Sequence, residues 1–233
     1  MKIDTSFDFR TDALGKDPDS YSATLRRYHK LLWSKPLPDG TLFDLDDTTK
    51  GEYLHHVSDR GEFFLSSDSV IPTFTGYLAL GPITEQLLAA ATEAFLAIGY
   101  TIGGMMVWPC NKVDGKMTIN GARGFLRKIA DRMDLTLECI RRYYLGQSSP
   151  LGEVLARYGD FFALFEDFPG YLDFFLLQDL ATTDHSAVRF FMSFDDFTSP
   201  SVPRDVETYI EYRRQSIEFI EARNRRIQVW TNS

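Results

Sequence analysis

The chain has 233 residues, 44% of them apolar and 25% charged, with a net charge of −8. That balance is ordinary for a globular protein, and nineteen Phe and eleven Tyr supply core material without a metal or disulfide staple. The acidic excess argues against bulk, non-specific nucleic-acid binding, which draws on many exposed Lys and Arg, and against docking on anionic membranes.

The two cysteines, Cys110 and Cys139, form no C-x-x-C pair, so neither a disulfide framework nor a structural zinc site is expected. The start MKIDTSFDFR lacks the apolar h-region of a signal peptide, and no apolar run reaches the roughly 18 residues of a spanning helix. Cytoplasm is the default expectation. No internal repeat, linker or low-complexity stretch divides the chain, so a single globular domain over 1–233 is expected.

In chain order, residues 3–9 alternate apolar and polar and read as a half-buried strand. Ser22 or Thr24 caps a helix over about 23–34, with Leu25, Tyr28, Leu32 and Trp33 on its buried side. Glu62 to Ser66 reads as a strand running into a polar loop, Ser66-Ser67-Asp68-Ser69. Thr84 is expected to cap a helix over 84–97. Residues 100–108 read as a buried strand with a glycine pair, and Asp114-Gly115 as a hairpin turn whose return strand is 116–119. Asn120-Gly121 is a further turn. A long amphipathic helix follows over about 125–145, with Phe125, Ile129, Met133, Leu137 and Ile140 as its stripe. The aromatic region 150–180 reads as two helices broken at Pro169-Gly170, its rings at helical spacing and therefore core. Residues 188–194 read as a late strand and 204–228 as a charged final helix. The pattern predicts an α+β fold, a small mixed or antiparallel sheet with several packed helices.

No phosphate-binding loop, dinucleotide glycine fingerprint, H-E-x-x-H or G-x-S-x-G is present. No metal site is expected, and no cofactor is identified. The candidate groups are polar clusters. Arg26 and Lys30 are four apart on one helix, with His29 beside them, and such a set can hold a phosphate or carboxylate; the alternative is a solvated helix face. Ser67 lies in a hydroxyl-rich run suited to a ribose or to a plain turn. The segment 112–142 carries a net +4 while the rest carries −12. Within it, Asn120 and Arg123 sit before a helix start suited to a phosphate. Arg132, Arg141 and Arg142 are either anion ligands or ion-pair partners of Asp134 and Glu138.

The stretches TLRRYHKLLWSKPLP, FFLSSDSVIPTF, IGGMMVWP, MTINGARGF, IADRMDLTLECIRRYYLG and DFFLLQDL together resemble a family of bacterial proteins of unknown function, over nearly the whole chain. The resemblance implies a self-contained bacterial cytosolic protein and carries over no catalytic residue. Trp108 and Cys110 stand where Phe and Gly are more usual, which implies that neither side chain is catalytic.

Three functions compete. The leading one is a protein that binds or processes a phosphate-bearing ligand, a nucleotide or RNA end, through Arg26, Ser67, Asn120, Arg123 and Arg132, with His29 moving the proton. A second is an NAD-using, ADP-ribosyltransferase-like enzyme, supported only by the order of residue types. The third is a regulatory or immunity-type protein that binds a protein partner, with the final helix presenting Val206, Tyr209, Ile210, Ile217 and Ile220 and a basic end at Arg223, Arg225 and Arg226.

Overall fold

Where the chain begins, side chains satisfy the backbone in place of a sheet. In the computed structural model, which describes residues 2–47, 54–72, 74, 77 and 80–232, segment 3–9 is not the expected strand. Asp4 Oδ1 accepts from the Ser6 N–H at 2.9 Å, and Asp8 Oδ1 accepts from the Arg10 N–H at 3.0 Å to cap a single 3₁₀ turn, Phe9–Thr11. Short acidic side chains compete with a ladder in this way. The period of two survives only as burial of Ile3 and Phe9.

A one-turn helix α1 (Pro18–Tyr21) leads into α2 (Ala23–Trp33). Ser22 caps α2, accepting from the Leu25 N–H at 3.0 Å. Leu25, Tyr28, His29, Leu32 and Trp33 are buried, as helical spacing dictates. The short hairpin β1 (Lys35–Pro36) and β2 (Leu42–Phe43) follows, turning at Gly40 with φ +84°. Then come β3 (Asp46–Asp47), β4 (Leu54–Ser58) and β5 (Gly61–Ser69). With β6 (Met105–Pro109) they form an antiparallel sheet in the order β3-β4-β5-β6.

Among the described residues the sheet is uneven: along β5, β4 pairs with Gly61–Leu65 and β6 pairs with Leu65–Ser69. The polar run 66–69 is therefore strand and not the expected loop. It is bonded to β6, and α1 packs against β5.

The helix expected over 84–97 is split. Thr84 ends α3 (Gly81–Thr84), its hydroxyl donating back to the Gly81 carbonyl at 3.0 Å, and α4 runs Ala89–Gly99. Residues 102–104 form a 3₁₀ turn ahead of β6. Its glycines belong to a close approach: a Cβ on Gly103 would lie 2.5 Å from the Ile220 carbonyl oxygen. Asp114 and Gly115 do turn, with φ of +53° and +68°, but residues 116–118 form no return strand, and Thr118 caps α5 (Ile119–Phe125). Asn120 and Gly121 lie inside that helix.

The long helix expected over 125–145 is broken at Ala130 and Asp131, both at positive φ, and resumes as α6 (Met133–Tyr144). Phe125 is exposed. Three short helices follow in place of two: α7 (Gly152–Ala156), α8 (Gly159–Ala163) and α9 (Phe168–Phe175). Pro169 and Gly170 open α9 instead of breaking a helix; Asp167 caps it, accepting from the Gly170 N–H at 2.8 Å. Proline is tolerated there because the first-turn N–H has no helical partner. Residues 188–194 contribute one bridge, Ala181 to Val188, and no strand.

The last helix, α10 (Val206–Asn232), is the longest element among the described residues. Arg223 is fully buried and donates to the carbonyls of Gly103 at 3.0 Å, Met105 at 2.8 Å and Phe175 at 2.9 Å. Asn224 accepts from the Gly103 N–H at 2.8 Å. These bonds tie α10 to the turn before β6. Tyr209, Ile220 and Arg223, expected on a partner surface, are therefore in the interior, while Ile210 is exposed.

The core is aromatic. Phe161, Phe165, Tyr171, Phe174 and Phe175 pack ring against ring with centroids 4.9–6.4 Å apart, and Trp33 and Phe43 join them. Each such contact adds about 0.5–1.5 kcal/mol beyond area burial. The fold is α+β, a packed domain with small antiparallel sheets and ten helices among the described residues. Among those residues no helix is long and apolar enough to cross a membrane.

Candidate functional site

A cavity of about 350 Å3 lies against the last residues of β5. α1 contributes Asp19, β5 contributes Ser66, Ser67 and Asp68, and the start of α5 contributes Thr118 and Asn120, with Cys110 and Lys112 on the loop between. Strand alternation sends Ser67 to one face of the sheet and Asp68 to the other. Both nevertheless line the same cavity.

On the first face, Ser67 meets His29. Nε2 of His29 lies 2.9 Å from Ser67 Oγ, and Nδ1 accepts from the indole N–H of Trp33 at 3.0 Å. The imidazole is buried, which drives its pKa down to about 3, aided by repulsion from Arg223. A neutral ring that accepts at Nδ1 carries its proton at Nε2. His29 therefore donates to Ser67 and cannot take that hydroxyl's proton, so the pair lacks the general base of a serine nucleophile. The Ser67 hydroxyl also faces Asp19 and works against the rise of its carboxyl pKa.

On the second face, Arg123 is fully buried. Nη1 donates to Asp68 Oδ2 at 2.5 Å and to Asn120 Oδ1 at 3.3 Å, Nη2 donates to the Asp131 carbonyl at 3.0 Å, and Nε donates to Thr136 at 3.0 Å. Asp131 also pairs with Nη2 at 3.3 Å, and the guanidinium stacks on Trp108 with 5.0 Å to the ring centroid. The break at Ala130-Asp131 that interrupts the expected helix is what turns this carbonyl and carboxylate onto Arg123.

Three carboxylates, Asp19, Asp68 and Asp131, thus share one buried arginine. Burial raises the pKa of all three, with Arg123 opposing; repulsion from Asp17 and then Asp131 adds to it for Asp19, and from Asp131 and then Asp19 for Asp68, and Asp19 is pushed up to about 7. Three acidic groups packed this closely titrate as a coupled set, each proton held more firmly than by a free carboxylate. Asp19 Oδ1 is buried with no hydrogen-bond donor. Cys110 is a poor nucleophile here, because burial pushes its thiol up to about 11 and its Sγ donates to the Phe64 carbonyl. No trio of His, Cys, Asp or Glu is placed to hold a metal among the described residues.

Of the residues singled out from sequence, Ser67 and Asn120 line the cavity, while His29 and Arg123 stand directly behind them. Arg26, half-buried on α2, is not part of its lining. Arg132 is elsewhere: it forks onto Asp134 with bonds of 3.1 and 2.5 Å, and Arg141 and Arg142 both bond Glu138. Four of the segment's eight basic residues, Arg123, Arg132, Arg141 and Arg142, are held in ion pairs. Asp19 and Asp131 were missed from sequence. Asp19 lies in a loop-like DPDS stretch, and Asp131 was absorbed into a helix face.

No curated protein and no solved structure matches the chain. Residues 3–227 match the model of a family of unknown function, DUF6994. The chain belongs to that family.

Proposed function

We propose that the chain binds, and through Asp19 exchanges a proton with, a small hydroxyl-bearing ligand of nucleotide type in the cavity at the end of β5. One observation carries this reading: Asp19 faces the cavity with a buried, unpartnered Oδ1 and a pKa near 7. A carboxyl poised near neutrality can accept or give a proton, and its free oxygen suits a sugar hydroxyl. Ser66, Thr118 and the amide of Asn120 offer further donors. Lys112, exposed at the rim, supports a phosphate on the same ligand. Arg123 and His29 serve this site from behind, Arg123 by holding Asp68 and His29 by orienting Ser67.

The test is a thermal-shift and ligand-detected NMR screen of nucleosides, nucleotides, sugars and sugar phosphates against the wild type, Asp19→Asn and Lys112→Ala. A nucleotide should raise the melting temperature of the wild type, by RT ln(1 + [L]/Kd) in stability. Asp19→Asn should abolish the gain, and Lys112→Ala should weaken it for phosphate-bearing ligands only. If no compound shifts the wild type, or Asp19→Asn binds as well, the reading is wrong.

A further inference from the structure

A second cavity, of about 390 Å3, lies at the other end of α2, between the β1–β2 hairpin, α9 and the end of α10. Lys35 projects into it. That lysine is only 9% exposed, an uncommon state for the side chain. Its Nζ sits 5.3 Å from the ring centroid of Trp33, 4.8 Å from that of Phe174 and 5.1 Å from that of Trp230. No carboxylate among the described residues comes within ion-pair distance of it. Asp173 shares the cavity, but its Oδ1 is held by the Gln178 amide at 2.8 Å. Pro36, Leu37 and Pro38 complete a mainly apolar wall.

A lysine packed this way is neither a surface charge nor half of a buried ion pair. The other charge close by, Arg223, repels it. Burial and that repulsion bring the amine down to about 8, Asp173 resisting. An appreciable neutral fraction therefore exists near pH 7, and a neutral amine in an apolar pocket is a nucleophile.

We propose that Lys35 condenses with the carbonyl of a small aldehyde or ketone with an apolar body, forming an imine in this cavity. The amine lone pair adds to the carbonyl carbon, and the carbonyl π pair moves to oxygen, which takes up a proton. The carbinolamine nitrogen loses a proton. The hydroxyl is then protonated and leaves as water while the nitrogen lone pair forms the C=N bond. Asp173 is the carboxylate at hand to relay these protons. The reaction needs no oxidant or reductant, and the aromatic walls accept the ligand's apolar body. This site is separate from the cavity at the end of β5 and does not depend on it.

The test treats the full chain with benzaldehyde and sodium cyanoborohydride near neutral pH. The reagent reduces imines to stable benzyl adducts, and peptide mapping gives the rate at each lysine. The other seven lysines are internal controls. Lys35 should be modified about tenfold faster than their median, from its larger neutral fraction less the lower nucleophilicity of a weaker base. Lys35→Arg keeps the charge and the ring contacts and should remove the fast adduct. Modification of Lys35 at or below the median rate overturns the proposal. If Lys35→Arg fails to fold, the wild-type map decides on its own.

Discussion

Trp33 donates its indole N–H to Nδ1 of His29 across 3.0 Å, one turn away on the same helix, and so decides what His29 can do. With Nδ1 occupied and the ring buried, the proton stays on Nε2 and points at Ser67. NMR of the imidazole nitrogens should therefore show the Nε2–H tautomer and no titration from about pH 5 to pH 8, where an ordinary histidine titrates. Ser67 should be unlabelled by a fluorophosphonate. Trp33→Phe leaves Nδ1 without a donor and should cost about 1–3 kcal/mol. Labelling of Ser67 in the wild type would refute this assignment.

The carboxylate cluster makes stability depend on pH with a sign opposite to that of an ordinary salt bridge. Asp19 titrates at about 7 in the folded chain against an ordinary 3.8. Between those values the folded state keeps a proton that the unfolded state has released. Stability from this group is thus full below the lower value and falls as pH rises to the upper one. His29 acts the other way: its folded pKa of about 3 lies below an ordinary 6.5, so its contribution is full above the higher value and is lost as pH falls. The difference in melting temperature between Asp19→Asn and the wild type cancels the histidine. That difference should shift in favour of the variant as pH rises from about 4 to about 7, then level off. Parallel curves would place the Asp19 pKa near its ordinary value.

The parts of the fold legible in the sequence are those where one local rule governs. Ser22 and the spacing of Leu25, Tyr28, Leu32 and Trp33 define α2, and the ring spacing of 158–175 marks core. The readings that fail do so where a distant contact overrides a local pattern. Residues 125–145 have helical periodicity, yet Arg123 draws the Asp131 carbonyl out of the helix. Residues 66–69 have turn composition, yet their backbone is claimed by β6, some forty residues later in the chain. The glycine pair at 103–104 is strand-like until α10 packs against it. The site divides the same way. Ser67, Asn120, His29 and Arg123 stand out by type, whereas Asp19 becomes chemically special only because the packing of α1 against β5 buries it.

Arg123 separates an anion ligand from a structural hub. As a ligand-binding group it would need donors free for the ligand, and its loss would leave the empty protein nearly as stable. In the structure Nε, Nη1 and Nη2 are all engaged, by Thr136, by Asp68 and Asn120, and by Asp131. Removing the cation leaves two carboxylates and a carbonyl in the interior without it. Losing one member of a buried ion pair costs about 3–5 kcal/mol, which for a chain of this size lowers the melting temperature by roughly 10 °C. Arg123→Ala should show that loss with no ligand present. Arg123→Lys should recover little, because a lysine cannot span the fork to Asp68 and Asp131 while bonding Thr136. Asp68→Asn in the Arg123→Ala background should restore part of the stability, since it removes one of the stranded charges. The opposite outcome, Arg123→Ala melting like the wild type while losing protection by a phosphate compound, would return Arg123 to the role of anion ligand.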